Sequence, residues 1–225
     1  MSWAEVFKIN SNMKKPLNEQ LRDIKHQPIR IITATGAFTP EKNGLYKVIC
    51  VGAGGNGSHD DDSNYVSVAS GGGGGVAISI LRLDKTHSYN VTVGTTASFT
   101  HESGSLTATA GGNGDADESE PGIGGSASGG DFNYPGLNGS YIFSTSSNKL
   151  VTATPGSVGV FISDLSRRGD VEWVILNSVA RKMTYGDSII TYGGAGNGFG
   201  EYMAKGASMH GLPAAVIIIP VEMEE

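Results

Sequence analysis

Leu45-Tyr46-Lys47-Val48-Ile49-Cys50-Val51-Gly52-Ala53-Gly54-Gly55-Asn56-Gly57 is the stretch that decides the fold. Its first seven residues are apolar, aromatic or β-branched apart from Lys47, and they predict a strand over 45–51. The six that follow match G-x-G-x-x-G, the spacing of a dinucleotide-binding turn. That turn needs a helix directly behind it, whose N-terminus faces the pyrophosphate. What comes instead is Ser58-His59-Asp60-Asp61-Asp62-Ser63-Asn64, then five glycines at 71–75. No helix is expected there, and three aspartates would repel a phosphate. The α/β nucleotide-binding reading is rejected, and an all-β chain with glycine-rich connections is expected.

Outward from this stretch, short β-type runs recur between turn signals. They fall at 29–35, 76–83, 89–93, 105–110, 141–144, 149–154, 158–162, 172–176, 188–191 and 215–221. Gly36 is expected to end the first, and 84–88 reads as the turn of a hairpin joining 76–83 to 89–93. Pro220 confines the last strand to an edge or a terminus. So many short strands predict an all-β domain over 29–225, a sandwich or jelly-roll-like arrangement. Residues 1–28 differ, since they hold no glycine. Ser2 with Glu5 reads as a capping box, and Met13, Leu17, Leu21 and Ile24 recur at helical spacing with Pro16 as a break. A short N-terminal helical segment is expected, with Trp3, Phe7, Leu17 and Leu21 as its apolar contacts. Two roles stay open for it, covering its own domain or docking onto a neighbouring subunit.

Composition excludes several classes. Glycine supplies 34 of 225 residues, roughly double the ~7% average, yet no Gly-X-Y register runs through the chain, so it is not collagen. The longest apolar run, 214–219, falls far short of the ~20 residues of a spanning helix, and no membrane insertion is expected. The opening residues lack a basic region followed by an apolar stretch, so no signal peptide is expected. Net charge is −6 without a Lys/Arg cluster, which argues against nucleic acid as a partner. Cys50 is the single cysteine and reads as a small core residue.

The glycines gather at 52–57, 71–75, 111–114, 121–139, 193–200 and 206–211. Gly-Gly-Asn-Gly occurs at 54–57 and again at 111–114, each time followed by acidic residues, and a near variant spans 194–198. Such runs are either flexible linkers or extended polyproline-II-like segments packed side by side. Their position between successive strands of one domain favours ordered packing. His59-Asp60-Asp61-Asp62 offers hard oxygen ligands that suit calcium, but without EF-hand spacing, and a solvated loop is the plainer reading. The histidines show no zinc spacing and no nucleophile elbow appears. No catalytic residue and no resident cofactor or metal is expected, with Ca2+ as the alternative. The recognition candidates are aromatics beside glycine: Asp131-Phe132-Asn133-Tyr134, then Tyr141, with Tyr65 in the acidic loop. A ring supplies contact area and a neighbouring amide supplies direction, as in sugar or protein recognition. The competing reading has these rings fill gaps in a domain poor in large side chains.

The chain resembles the glycine-rich domain of phage and prophage tail-fibre tips and adhesins. The likeness is carried by 45–55, by Gly71–Gly75 with Val76-Ala77, by Tyr89-Asn90-Val91-Thr92-Val93-Gly94, and by Gly211-Leu212-Pro213-Ala214-Ala215-Val216-Ile217-Ile218, in that order. Trp3-Ala4-Glu5-Val6-Phe7-Lys8-Ile9-Asn10-Ser11 with Lys15-Pro16-Leu17-Asn18 looks like the start of tail proteins encoded by Firmicute phages and prophages. Residues 141–190 depart from the short glycine-rich examples. The resemblance implies a receptor-binding component of a virion or phage-tail-like particle, made in the host cytoplasm and released by lysis. It implies a homotrimer that contacts other particle subunits through residues 1–28 and a bacterial surface glycan or protein through its loops. A structural tail component without receptor contact is the alternative, and a surface-polysaccharide-degrading enzyme a more distant one.

Overall fold

The computed structural model of the chain describes residues 29–62, 65–144, 151–153, 156, 171–176, 179–184, 199–200 and 210–224. Strands and connecting segments make up these residues, and the all-β expectation holds for them. One five-stranded sheet runs in the order β1 (Arg30–Ile32), β17 (Ala215–Met223), β3 (Gly44–Val51), β6 (Val76–Leu83), β11 (Phe132–Tyr134). A second runs β10 (Ala127–Ser128), β9 (Gly104–Ala108), β8 (Ala97–His101), β7 (Tyr89–Val93), β2 (Gly36–Phe38). A three-stranded sheet joins β12 (Tyr141–Ser144), β5 (Tyr65–Ala69) and β4 (Ser58–Asp62). Two pairs complete the list, β13 (Val151–Thr152) with β16 (Phe199–Gly200) and β14 (Val171–Leu176) with β15 (Val179–Thr184). Residues 1–28, with Trp3, Phe7, Leu17 and Leu21, lie outside the described residues, as do 158–162 and 188–191.

Strand alternation decides which side chains meet. On β3, Tyr46, Val48 and Cys50 face one side, while Ile49 and Val51 face the other. The first set joins Val216 and Ile218 of β17 and packs on Tyr89, Val91, Ala97, Phe99, Leu106 and Ala108 of the second sheet. Tyr89 stacks on Phe99 with ring centroids 5.5 Å apart. The two five-stranded sheets therefore share one core, where each large side chain contributes roughly 1.5–3 kcal/mol by leaving water. The opposite face of the first sheet is apolar as well. Cross-strand register aligns Ile31, Ile217, Ile49, Ile78 and Phe132 in one row over all five strands. Ile217 and Ile49 are buried, whereas the row's ends, Ile31 and Phe132, are 47% and 59% exposed.

Three expectations are corrected. β6 and β7 are not hairpin partners: β6 pairs with β3 and β11, and β7 with β2 and β8. The connection at 84–88 carries the chain from one sheet to the other. It is held by Asp84, whose Oδ1 accepts the Thr86 amide (2.7 Å) and hydroxyl (2.8 Å), which keeps that carboxyl below the usual range. A hairpin and an arch between sheets present the same strand–turn–strand pattern, so spacing alone does not separate them. Gly36 does not end a strand but opens β2, where nothing stands within 4 Å of the place a Cβ would take. Finally, the acidic stretch is no loop. Asp60, Asp61 and Asp62 lie on β4, in register with Ser67, Val66 and Tyr65 of β5. As the outermost strand of its sheet, β4 tolerates charges that would be costly at the centre, and they discourage edge-to-edge pairing.

The glycine segments are tied to one another by backbone hydrogen bonds that recur every third residue. Segment 70–75 is the hub. Gly52 and Gly55 donate to the carbonyls of Gly75 and Gly72, while Gly72 and Gly75 donate to Gly112 and Thr109. Gly122 and Gly125 donate to Ser70 and Gly73, and Ser70 and Gly73 donate to Ser140 and Leu137. Gly156 adds a bond to Gly71. A strand in a sheet has two neighbours, but this segment has bonds to four others and to Gly156. Among the described glycines, Gly104 and Gly129 alone have positive φ. Backbone conformation is thus not what requires glycine in the bundle. Space is: a Cβ on Gly52, Gly72 or Gly74 would overlap the carbonyl oxygens of Thr109, Ile123 and Gly52.

Candidate functional site

Asparagine fastens the bundle where glycine only lets it close. In the first Gly-Gly-Asn-Gly copy, the Asn56 Oδ1 accepts the amide of Gly211 at 2.9 Å. In the second, the Asn113 Oδ1 accepts the amide of Asn56 at 2.8 Å, and the Gly114 amide donates to the Asn56 carbonyl at 2.8 Å. Asn138 repeats the device, its Oδ1 accepting the Gly124 amide at 2.8 Å. Each bond satisfies a main-chain donor that no sheet reaches. Of the acidic residues behind the second copy, Asp115 is structural too. Asp115 Oδ1 caps the amides of Asp117 (3.0 Å) and Glu118 (3.2 Å), and the Asp115–Glu120 turn closes with paired backbone bonds. Ala116 then donates to Ser58 Oγ and accepts from Ser67 Oγ, which seats the turn on the three-stranded sheet.

The aromatic candidates fall into separate places. Phe132 and Tyr134 lie on β11, paired with Ile78 and Val76 of β6, so they are strand residues and not residues of a glycine loop. Their rings are nearly parallel, at 11° and with centroids 6.5 Å apart, close to the ~6.6–6.8 Å advance between residues i and i+2 on a strand. Tyr134 packs against the buried cluster of Ile49, Val51, Val76 and Ile217, and Phe132 stays open at the row's end. Asp131 and Asn133, expected to give direction to a ligand, are engaged within the fold. Asp131 Oδ2 accepts the Ser79 hydroxyl at 2.5 Å and the Ile80 amide at 3.1 Å, bonds that hold its carboxyl below the usual range. Asn133 exchanges both ends of its amide with Gly130, accepting at 3.0 Å and donating at 2.7 Å. Both residues anchor β11 and thereby fix the two rings.

Tyr141 is elsewhere. It lies on β12 in the three-stranded sheet, where its hydroxyl accepts a bond from Ser119 Oγ at 2.9 Å. Tyr65 lies on β5 of that same sheet. The six ligand candidates thus divide into a β11 group and a pair on the three-stranded sheet.

Two residues overlooked in the sequence stand out on the bundle. Ile123 and Leu137 are 71% and 57% exposed, on neighbouring segments. Both fall between the bonds Gly136 N to Gly125 O and Gly139 N to Gly122 O. Their own carbonyls accept from Gly112 and Gly73, so main-chain bonds fix them although their side chains are bare. The signal was a lone aliphatic residue framed by glycines, at Gly122-Ile123-Gly124 and Gly136-Leu137-Asn138-Gly139. Cys50 is buried, and that burial pushes its thiol up to about 12, which makes it a core residue and a poor nucleophile. Among the described residues no three acidic, histidine or cysteine side chains converge as a metal site would require. No protein-family model matches the chain, and no curated protein matches it.

Proposed function

We propose that this chain is a receptor-binding or tail-fibre component of a phage or phage-tail-like particle, and that its glycine-rich side contacts a bacterial surface structure. One observation carries the reading: large apolar side chains stand exposed on a scaffold whose main chain is bonded on several sides. Ordinarily an exposed Ile or Leu sits where it is because of regular structure beneath it. Here Ile123 and Leu137 are positioned by main-chain bonds and by the Asn138 side chain on the Gly124 amide, which costs binding little ordering entropy. In this reading the glycine segments are polyproline-II-type helices, whose three residues per turn agree with bonds at every third residue. The two-sheet body is then a sandwich of jelly-roll type that supports them. Glycan or protein remains the partner class, with Phe132, Tyr134, Ile123 and Leu137 as the contact residues and no catalysis.

Labelled full-length protein applied to a panel of bacterial cells and purified wall polysaccharides tests this reading. Binding to a subset of hosts is expected, weakened at least about tenfold by Ile123→Asp with Leu137→Asp or by Phe132→Ala with Tyr134→Ala. Absence of binding to every cell and polysaccharide favours the second reading, a structural component of the particle. That reading draws on the apolar row of the first sheet, whose exposed end Ile31 lies beside the chain's entry from residues 1–28.

A further inference from the structure

Asn-Gly is the sequence most prone to spontaneous cyclisation, because glycine leaves its amide nitrogen unobstructed. That nitrogen attacks the asparagine Cγ, a new N–C bond forms, and ammonia leaves with the displaced proton. Water then opens the resulting succinimide at either carbonyl, which yields aspartate or isoaspartate and one added negative charge. The reaction requires Cγ to fold back onto the following amide, and it requires that amide to lose its proton.

We propose that Asn113 and Asn138 are modification sites of this kind, closed in the folded chain and opened when the glycine bundle separates. At Asn113 the attacking nitrogen of Gly114 donates to the Asn56 carbonyl at 2.8 Å. Its carboxamide is held as well, with Oδ1 on the amide of that same Asn56 at 2.8 Å. At Asn138 the Gly139 nitrogen donates to the Gly122 carbonyl at 2.8 Å, and Oδ1 is held by the Gly124 amide at 2.8 Å. Nucleophile and carboxamide are thus each held by a neighbouring segment, at Asn113 by the main chain of Asn56 and at Asn138 by that of Gly122 and Gly124, although both asparagines are solvent-exposed. Exposure alone would mark the two as reactive; the bonding marks them as protected. Once formed, an isoaspartate cannot rejoin the bundle. It adds a carbon to the main chain where even a Cβ on Gly114 or Gly139 would overlap the carbonyls of Ala69 and Ser70. The modification would therefore record, irreversibly, each chain whose bundle has opened.

The full-length protein is incubated at mildly alkaline pH, in buffer and in denaturing urea, and mapped by peptide mass spectrometry with enzymatic isoaspartate labelling. Conversion at Asn113 and Asn138 is expected to be at least about a hundredfold slower in buffer, where it waits on local opening. Gly122→Ala, which displaces the partner of Gly139, is expected to raise the native rate at Asn138. Conversion in buffer within about twofold of that in urea overturns the proposal, and it does so for whichever of the two sites shows it. The urea comparison is internal to the unaltered chain, so it decides the matter even if Gly122→Ala does not fold.

Discussion

The Asn113 side chain accepts the main-chain amide of Asn56 at 2.8 Å, so the two copies of Gly-Gly-Asn-Gly are bonded directly to each other. The repeat is therefore a pair of interlocking parts and not two independent loops. Replacing Asn113 by alanine leaves the Asn56 amide without that acceptor. Asn113→Ala should cost about 0.5–1.5 kcal/mol, read as a lower urea midpoint at unchanged slope, while Asn113→Asp keeps an acceptor and should cost less.

Glycine substitutions should divide by neighbourhood. A Cβ at Gly52 or Gly72 meets backbone carbonyls that cannot swing aside, so alanine there should destabilise by about 3 kcal/mol or more, or prevent folding. At Gly36 and Gly94 nothing stands within 4 Å and φ is not positive. Alanine at those two positions should be neutral or stabilising by up to ~1 kcal/mol, through lower entropy of the unfolded chain. Thermal unfolding of the four variants reads the contrast.

Asp131 makes stability depend on acid. Its carboxyl titrates below the usual range when folded, because of the Ser79 hydroxyl first and the Ile80 amide second. The stabilisation it provides is complete above the ordinary carboxylate pKa of ~3.9 and is lost as pH falls through the lower folded value. Urea midpoints measured near neutrality and near pH ~3 should differ less in Asp131→Asn than in the unaltered chain. An equal difference in both would assign the acid sensitivity to other carboxylates.

Cys50 should stay silent in the folded chain. Its thiol is raised to about 12 by burial, so the reactive thiolate is scarce at neutral pH. Reaction with an aromatic disulfide reagent should follow the rate of unfolding and become fast in urea. Because the folded value lies above the unfolded one, this residue also removes stability as pH rises from ~8.5 towards 12. Cys50→Ala should flatten that part of the pH profile.

Much of the β body was legible because period-2 patterning is written locally. The runs at 45–51, 76–83, 89–93 and 215–221 overlap β3, β6, β7 and β17 closely, and Cys50 was placed in the core by its apolar neighbours. β4 was not legible, since three aspartates carry low strand propensity and only its edge position makes them acceptable. β11 was hidden for another reason: three residues, Phe132-Asn133-Tyr134, show no period, and their strand character comes from pairing with β6. The candidate site followed the same division. The sequence offered Tyr65, Phe132, Tyr134 and Tyr141 as one group, which the structure divides between β11 and the three-stranded sheet, and it offered Asp131 and Asn133 to a ligand, whose polar groups Ser79, Ile80 and Gly130 engage.

By itself, then, the sequence determined that the described part of this protein is built of strands, that no nucleotide turn follows β3, and that glycines cluster between those strands. Those properties are set by which residues adjoin one another. Only the tertiary structure decided that β6 and β7 belong to different sheets, that a single segment at 70–75 bonds to four others, and that glycine in the bundle is needed for space and not for φ. Each of these depends on groups far apart in the chain, such as Asn56 and Gly211. A glycine has no side chain to announce its partner, so only the carbonyl lying against its Cα reveals why it is there.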